Sequence, residues 1–393
     1  HGHRNGAHCA QRTQHSPLGN QNHRRKRRSH LALQTHQHGF TQTQSMILTS
    51  LIKLLKTQFE HSLPFVIYRK PQCSNIEALL QQNDVLYQVN DYSESGFVMA
   101  PFSGTPVLIP LDKATSLFAE YTAEKQLQNS SVAYTVNESA RIFHEQLVTK
   151  GIAAIESGAF EKVVLSRAEM IEIEGFDWTD VFFRILNLYP TAFAYCYFHP
   201  KVGMWLGAFG EQLVRYSKGQ LNTMAVAGTQ LFQENVDPVW GEKEKQEQQL
   251  VTDFILDGLR TYSSKIEQSE PYSVSAGRLW HIRTDIQAQI KENQLKNIIE
   301  FLHPTPAVCG FPKASAHQFI IENEGYDRAY YAGFLGELNM NQTTDLFVNL
   351  RCMKVVDRHQ VVLYVGGGIT RDSIPTKEWQ ETVHKAQTMK MVL

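Results

Sequence analysis

Two carboxylate pairs in this sequence have a spacing that could hold a metal ion. Glu244 and Glu247, in Lys243-Glu-Lys-Gln-Glu247, lie three residues apart, as do Glu378 and Glu381 in Glu378-Trp-Gln-Glu381-Thr-Val-His-Lys385. On a helix that spacing puts both side chains on one face. Two acidic helix faces far apart in sequence suit one hard divalent cation shared between them. Mg2+ takes one or two carboxylates together with anionic substrate oxygens. Solvated helix faces show the same spacing. The residues between the two pairs decide which reading is worth pursuing.

Lys162-Val-Val-Leu-Ser-Arg167 is a β-like run that begins with a lysine. A partly desolvated lysine beside a sheet can lose its proton readily enough to act as a base, although a lysine at a strand edge is also a common surface device. Glu211 follows a glycine in the turn Leu206-Gly-Ala-Phe-Gly-Glu211-Gln-Leu. Phe209 and Leu213 beside it would raise its carboxyl into the range of a general acid. Gly228-Thr229 ends another strand, where glycine lets a ligand approach the backbone and threonine offers a hydroxyl. His303-Pro-Thr305-Pro-Ala307-Val-Cys-Gly-Phe-Pro is a rigid loop with little freedom to lose on binding. Arg351 sits inside a β-run, where its planar fork would seek a carboxylate. Gly366-Gly-Gly368-Ile-Thr closes the next strand and could turn backbone N–H groups toward an anion.

These residues need elements to carry them. Alternating or continuous apolar runs predict strands at 64–69, 85–89, 163–173, 192–198, 204–209, 212–216, 221–225, 346–356 and 360–365. Helical periodicity predicts helices just after Met46 and at 137–157, 178–189, 242–264, 286–293, 294–302, 326–339 and 376–391. In the 242–264 helix, Leu250, Val251, Phe254, Ile255 and Leu259 form the buried stripe, and Glu244 and Glu247 fall at the end whose dipole favours anions. Short turns such as Asp357-Arg-His favour antiparallel pairing. The pattern is α+β, with sheets layered against helices, and not an alternating βαβ series.

Composition narrows the class further. The 393 residues carry 38 Lys and Arg against 39 Asp and Glu, a net charge of −1. Nothing in that balance draws the whole chain to nucleic acid or to a membrane surface, and no apolar run is long enough to span a bilayer. The cysteines Cys9, Cys73, Cys196, Cys309 and Cys352 are scattered, with no CxxC pair, and read as reduced thiols in a cytoplasmic protein. Residues 1–45 differ from the rest. They hold no Asp or Glu, half of the histidines and the basic run at 24–28, and have no apolar period. They read as a disordered or non-native tail ahead of Met46. Residues 46–393 read as a single catalytic domain, with 46–139 its divergent N-terminal part and 140–393 its motif-bearing core.

Taken singly these motifs are weak, but their order and spacing resemble the chorismate-utilising enzymes. That family includes isochorismate, salicylate, anthranilate and aminodeoxychorismate synthases. The resemblance is strong over 140–393 and loose over 46–139. Gln248 departs from it, because many members carry His after the second glutamate of the first pair. The resemblance implies the chorismate-binding fold, with largely antiparallel sheets and helices around a central cleft. It also implies Mg2+ held by Glu247 and Glu381, assisted by Glu244 and Glu378. Arg351 and Lys385 would face substrate carboxylates, and Gly228, Thr229, His303, Thr305, Ala307, Gly366 and Gly368 would contribute to the substrate pocket.

Within the family, the lysine that resides before Gly-Thr in aminodeoxychorismate synthases is Ala227 here. Lys162 matches the base lysine of the water-adding branch, which anthranilate synthases typically lack. The implied activity is isochorismate synthase, with Lys162 as base toward water at C2 and Glu211 as acid toward the C4 hydroxyl. The product would feed menaquinone or siderophore synthesis. Salicylate synthase, which goes on to eliminate pyruvate, is the alternative, and a catalytically inactive chorismate-binding protein is the alternative from another class. A monomer is expected, with no glutamine amidotransferase subunit, nucleic acid or membrane as partner.

Overall fold

Strand Phe65–Arg69 is buried at every position, and its side chains divide between two cores. Val66 and Tyr68 enter one, Phe65 and Ile67 the other, as the two-residue period of a strand requires. The neighbouring strand Phe193–His199 divides the same way, with Phe193, Tyr195 and Tyr197 on one side and Ala194 and Cys196 on the other. A continuous apolar run of this kind belongs to a sheet covered on both faces. The computed structural model describes residues 43–122, 137–232, 236–276 and 279–393.

Two ten-stranded sheets account for these cores. The first runs Gln44–Ser45, Ala114–Glu120, Asn75–Gln81, Phe65–Arg69, Phe193–His199, Gly203–Phe209, Cys352–Val355, Gln360–Ile369, Lys162–Glu172 and Gly310–Phe311. The second runs Ile266–Gln268, Leu279–Gln289, Gln220–Leu231, Gln212–Ser217, Thr343–Val348, Phe334–Met340, Gly96–Ala100, Val107–Pro110 and Tyr87–Gln88, and Tyr272–Ala276 is added beside Leu279–Gln289. The pairings are antiparallel except that of Gln44–Ser45 with Ala114–Glu120. The larger core lies where the two sheets face each other. The smaller one lies under helices Leu48–Glu60 and Trp178–Leu188 on the outer face of the first sheet. The α+β architecture expected from the sequence is the one observed.

Helix starts follow local chemistry. Asn137 Oδ1 accepts from Ala140 N–H at 3.0 Å, and Asp177 Oδ1 accepts from Thr179 N–H at 2.8 Å. Such caps contribute about 1 kcal/mol each. Helices Glu138–Glu156, Trp178–Leu188, Glu242–Arg260, Leu295–Leu302 and Pro375–Lys390 lie within a few residues of the expected ones. Among the described residues, no helix is long and apolar enough to cross a membrane. Cys196, Cys309 and Cys352 are buried thiols, whereas Cys9 lies outside the described residues.

Several expectations fail for identifiable reasons. The segment 286–293 is not a helix. It is the end of strand Leu279–Gln289, where Ile282, Thr284, Ile286 and Ala288 alternate inward, followed by a turn. The segment 326–339 is not a helix either. Ala329 and Ala332 adopt φ values of 48° and 59°, which break any helix, and strand Phe334–Met340 follows. The apolar run 346–356 is two strands in different sheets. Of 85–89 only Tyr87–Gln88 pairs. The sheet-forming strands Asn75–Gln81, Gly96–Ala100, Val107–Pro110 and Ala114–Glu120 and helix Lys313–Asn323 were not anticipated. Residues 1–42 lie outside the described residues; Gln44 and Ser45, just ahead of Met46, pair with Leu117 and Phe118.

Candidate active site

Two of the chain's crossings between the sheets are neighbours, and each of these carries a candidate residue. At the first, Gly210 and Glu211 join strand Gly203–Phe209 of one sheet to Gln212–Ser217 of the other. At the second, 349–351 join Thr343–Val348 to Cys352–Val355. The crossings are tied together by Val348 N–H donating to the Glu211 carbonyl at 2.9 Å. Buried Asn349 fixes the corner. Its amide donates to the Tyr330 carbonyl at 2.8 Å and its Oδ1 accepts from Tyr195 at 2.9 Å. Arg351 then turns through φ 45°, a left-handed conformation rare for a long side chain.

Both residues line a cavity of about 520 Å3, together with Gly228, Thr229, Glu244, Glu247, Ala307, Gly366, Gly368, Glu381 and Lys385. Burial raises the Glu211 carboxyl to about 7, even though Lys162, Arg351 and Lys385 pull it down. At neutral pH it therefore exists as a mixture of acid and carboxylate. Burial likewise works against the charge on Arg351, which Tyr331, Glu381 and Glu211 help to retain.

Lys162 opens strand Lys162–Glu172 and lies just beneath the cavity wall, with 1% of its side chain exposed. Its Nζ stands 2.8 Å from Glu247 Oε1, an ion contact without the alignment of a hydrogen bond. The paired strand Gln360–Ile369 brings 366–368 alongside. A Cβ on Gly368 would lie 2.3 Å from Glu247 Oε1 and 3.1 Å from Lys162 Cε. Only a residue without a side chain leaves that lysine and carboxylate together. On Gly367 a Cβ would stand 3.5 Å from Glu381 Oε1 and 3.6 Å from Glu378 Oε2.

Glu247 from helix Glu242–Arg260 and Glu378 and Glu381 from helix Pro375–Lys390 thus converge on one glycine stretch, while Glu244 lies beside Gly228 and Gly241. The second helix is oriented by Arg167, whose guanidinium lies 4.5 Å above the Trp379 ring and whose Nε donates to Thr382 at 2.8 Å. The first is seated by Val251, Ile255 and Leu259, by Phe254 stacked on Phe301 at 4.6 Å, and by Gly258 flat against Phe301. Gln248 is structural, donating to Thr252 and Thr284 at 2.9 and 2.8 Å.

Three of the carboxylates each hold a lysine: Glu247 with Lys162 at 2.8 Å, Glu378 with Lys243 at 2.8 Å, and Glu381 with Lys385 at 2.6 Å. Burial raises the Glu378 carboxyl, with Lys243 opposing. For Glu381 burial also favours the acid, but Lys385, then Lys243 and Arg351, bring the net shift below the usual range. Among the described residues, no three carboxylate, imidazole or thiol side chains form a ready-made metal cage. The donor set is carboxylate alone, the chemistry of a hard cation that completes its shell with other oxygens.

Gly228 sits at a bulge in strand Gln220–Leu231, where the register against Leu279–Gln289 shifts between Ala227 and Gln230 and φ reaches 73°. His281, from the neighbouring strand, was not singled out in the sequence, yet it lines the cavity. Its Nδ1 lies 2.9 Å from the Gly228 carbonyl, which can only accept, so Nδ1 carries the proton and Nε2 is an acceptor. Burial first, then Arg351, lower His281 to about 3, which keeps the ring neutral. The period-two pattern of Ile282, Thr284, Ile286 and Ala288 was the signal that would have placed it.

Two expected pocket residues lie elsewhere. His303 points its Nε2 to the Pro101 carbonyl at 3.0 Å and packs edge-on to Phe334, away from the cavity lining. Thr305 is buried behind the wall, where its carbonyl accepts from Val308 and Cys309 N–H groups. From this loop the cavity receives only Ala307. Glu378 also lies off the lining, beneath Lys243.

Comparison with known proteins identifies the family and the fold. The family model described as "Chorismate binding enzyme" matches residues 107–393. The isochorismate synthase EntC of Escherichia coli K12 is 33% identical over 257 residues, covering 62% of this chain and 65% of EntC, so the match spans a little less than two thirds of that relative. The salicylate biosynthesis isochorismate synthase of Pseudomonas aeruginosa is 30% identical over 63% of this chain and 54% of its own length. In fold, the chain resembles a solved structure described as a 2,3-dihydroxybenzoate-specific isochorismate synthase, DhbC, from Bacillus anthracis. The TM-score is 0.71 at 21% identity, over 86% of this chain and 98% of that one. From the extent of the family match and the shared fold, the chain belongs to the chorismate binding enzyme family.

Proposed function

We propose that this protein is a Mg2+-dependent isochorismate synthase, converting chorismate to isochorismate by adding water at C2 with loss of the C4 hydroxyl, and that 46–393 act as one catalytic domain. The observation that carries the reading is Glu211. Its carboxyl is held at about 7 in a cavity that also contains the charges of Arg351 and Lys385, with Lys162 at its wall. Ala227 on the same wall offers no amine to attack the ring, which favours water as the nucleophile.

Arg351 and Lys385 supply positive charge for the two substrate carboxylates. Lys385 is already aimed by its hydrogen bond to the Gly366 carbonyl at 2.9 Å. Glu247 and Glu381, with Glu244 and Glu378 close by, fit Mg2+, and the space that a Cβ on Gly368 would fill keeps the Glu247 carboxylate against the cavity. Bound there, Mg2+ supplies charge neutralisation and orientation for the ring carboxylate. Lys162, once released from Glu247 and with its own proton given to solvent, acts as the neutral amine and takes a proton from water as the water oxygen bonds to C2. The ring double bonds shift, the C4–O bond breaks, and Glu211 gives its proton to the departing hydroxyl, which leaves as water. Acid and base steps of this kind each contribute roughly 10²–10⁴-fold. The product is a precursor for menaquinone or siderophore synthesis.

Incubation with chorismate and Mg2+, followed by chromatography that resolves isochorismate, salicylate and pyruvate, tests the reading. Isochorismate without pyruvate is the expected result. Pyruvate released with salicylate would assign the chain to salicylate synthases, and unchanged chorismate would refute catalysis.

A further inference from the structure

Lys243 is not needed for acid or base chemistry in the scheme above, yet it lies at the centre of the acidic cluster. Its Nζ donates to Glu378 Oε1 at 2.8 Å. Glu378 is 4% exposed and Lys243 31% exposed, so the lysine reaches in from the solvent side over a buried carboxylate. Lys243 belongs to helix Glu242–Arg260 and its acceptor to helix Pro375–Lys390. The ammonium therefore joins the first acidic helix to a buried carboxylate of the second.

The other two lysines of the cluster are fixed more firmly. Lys162 is enclosed in the wall at 1% exposure, and Lys385 has a second anchor on the Gly366 carbonyl. Lys243 has one hydrogen-bond acceptor among the described residues, Glu378. It stands in the first turn of helix Glu242–Arg260, behind Gly241, with a long flexible side chain open to solvent on one side. A divalent cation drawn to the same carboxylates would repel the ammonium at close range, and Lys243 is the one that can leave.

We infer that Lys243 is a built-in counter-ion that balances the acidic cluster in the metal-free protein and swings out to solvent when a divalent cation binds. The inference rests on reading the cluster as a cation site. The lysine then does two things. It keeps the buried Glu378 paired when no metal is present, since an unpaired buried charge is costly. It also weakens cation binding, because binding must displace it.

The test follows the amine directly in the wild-type protein. A lysine-acylating reagent is applied with and without saturating Mg2+, and modification of Lys243 is read by peptide mass spectrometry. Modification of Lys243 is expected to be several-fold faster with Mg2+. Calorimetric titration should show Mg2+ binding several-fold tighter to Lys243→Gln than to wild type. That variant should also melt lower than wild type without metal, with Mg2+ closing the gap. If Mg2+ binds wild type but leaves Lys243 labelling unchanged or slower, or if Lys243→Gln binds Mg2+ no tighter, the displacement is wrong and the cation site stands. If neither protein binds Mg2+ by calorimetry, the cation site itself fails and the inference falls with it.

Discussion

At the scale of single residues, Glu211 and Lys162 are the proposed acid and base. Glu211 has an ordinary value of 4.5, and burial lifts it to about 7. A general acid must enter the reaction protonated, so turnover should fall as pH rises through about 7, and Glu211→Gln should be inactive at every pH. The same shift affects stability. A carboxyl whose folded value is raised contributes stability below its unfolded value and loses it as pH climbs through the folded one. Glu211→Gln should therefore gain melting temperature relative to wild type between pH 5 and pH 8, measured by thermal denaturation. Lys162→Arg keeps the positive charge against Glu247 but cannot surrender its proton. It should bind chorismate with near wild-type affinity and lose roughly 10²–10⁴-fold in kcat. Turnover near the wild-type rate would reduce Lys162 to a packing and charge element.

At the scale of elements, the strands Gln360–Ile369 and Gly310–Phe311, which flank Lys162–Glu172, carry glycines whose replacements should behave differently. In Gly368→Ala the new Cβ meets the end of the Glu247 side chain at 2.3 Å, and that end can move. Melting should change little, while Mg2+ affinity by calorimetry and activity should each fall at least tenfold, about 1.4 kcal/mol. In Gly310→Ala the new Cβ meets the Lys162 carbonyl at 2.3 Å and Val163 Cα at 2.9 Å, at φ 142°. Backbone cannot yield cheaply, so that variant should lose stability first. The helices themselves are tested by Glu247→Gln and Glu381→Gln. Each should keep its fold by circular dichroism and lose activity that added Mg2+ restores only in part, whereas chelation of wild type should be fully reversible.

At the scale of the whole molecule, a buried ion pair ties the strand that carries Lys162 to distant segments. Arg328 and Glu324 are 2% and 1% exposed and pair at 2.5 Å. Arg328 also donates to the Val164 carbonyl at 2.7 Å and the Val308 carbonyl at 2.9 Å. Glu324 accepts from Ser166 N–H at 2.7 Å and Ser166 Oγ at 2.9 Å. Strand Lys162–Glu172, the 303–312 loop and the turn before strand Phe334–Met340 are thus held by one salt bridge. Arg328→Met leaves Glu324 buried and unpaired, a loss of about 3–5 kcal/mol, visible as a large drop in denaturant midpoint. If that drop is absent, the clamp is not what holds the strand in place.

The sequence by itself determined the family and many of the residues that meet at the cavity. Glutamates three apart on periodic segments face one way on any helix, and Glu244, Glu247, Glu378 and Glu381 do so. Continuous β-branched and aromatic runs such as Phe65–Arg69 and Lys162–Glu172 become strands because local pattern and burial agree. Where local pattern and tertiary demand diverge, the structure decided. The apolar run around 346–356 gives no sign of a break, because Arg351 is bent by the packing of Asn349 between Tyr195 and Tyr330, residues remote in sequence. His303 looks like a pocket residue until Pro101 takes its ring nitrogen. The contacts of Lys243 with Glu378 and Lys162 with Glu247 span too much chain for any local rule to see. They exist because two sheets and two helices bring glycines 366–368 to the one place where all these charges meet.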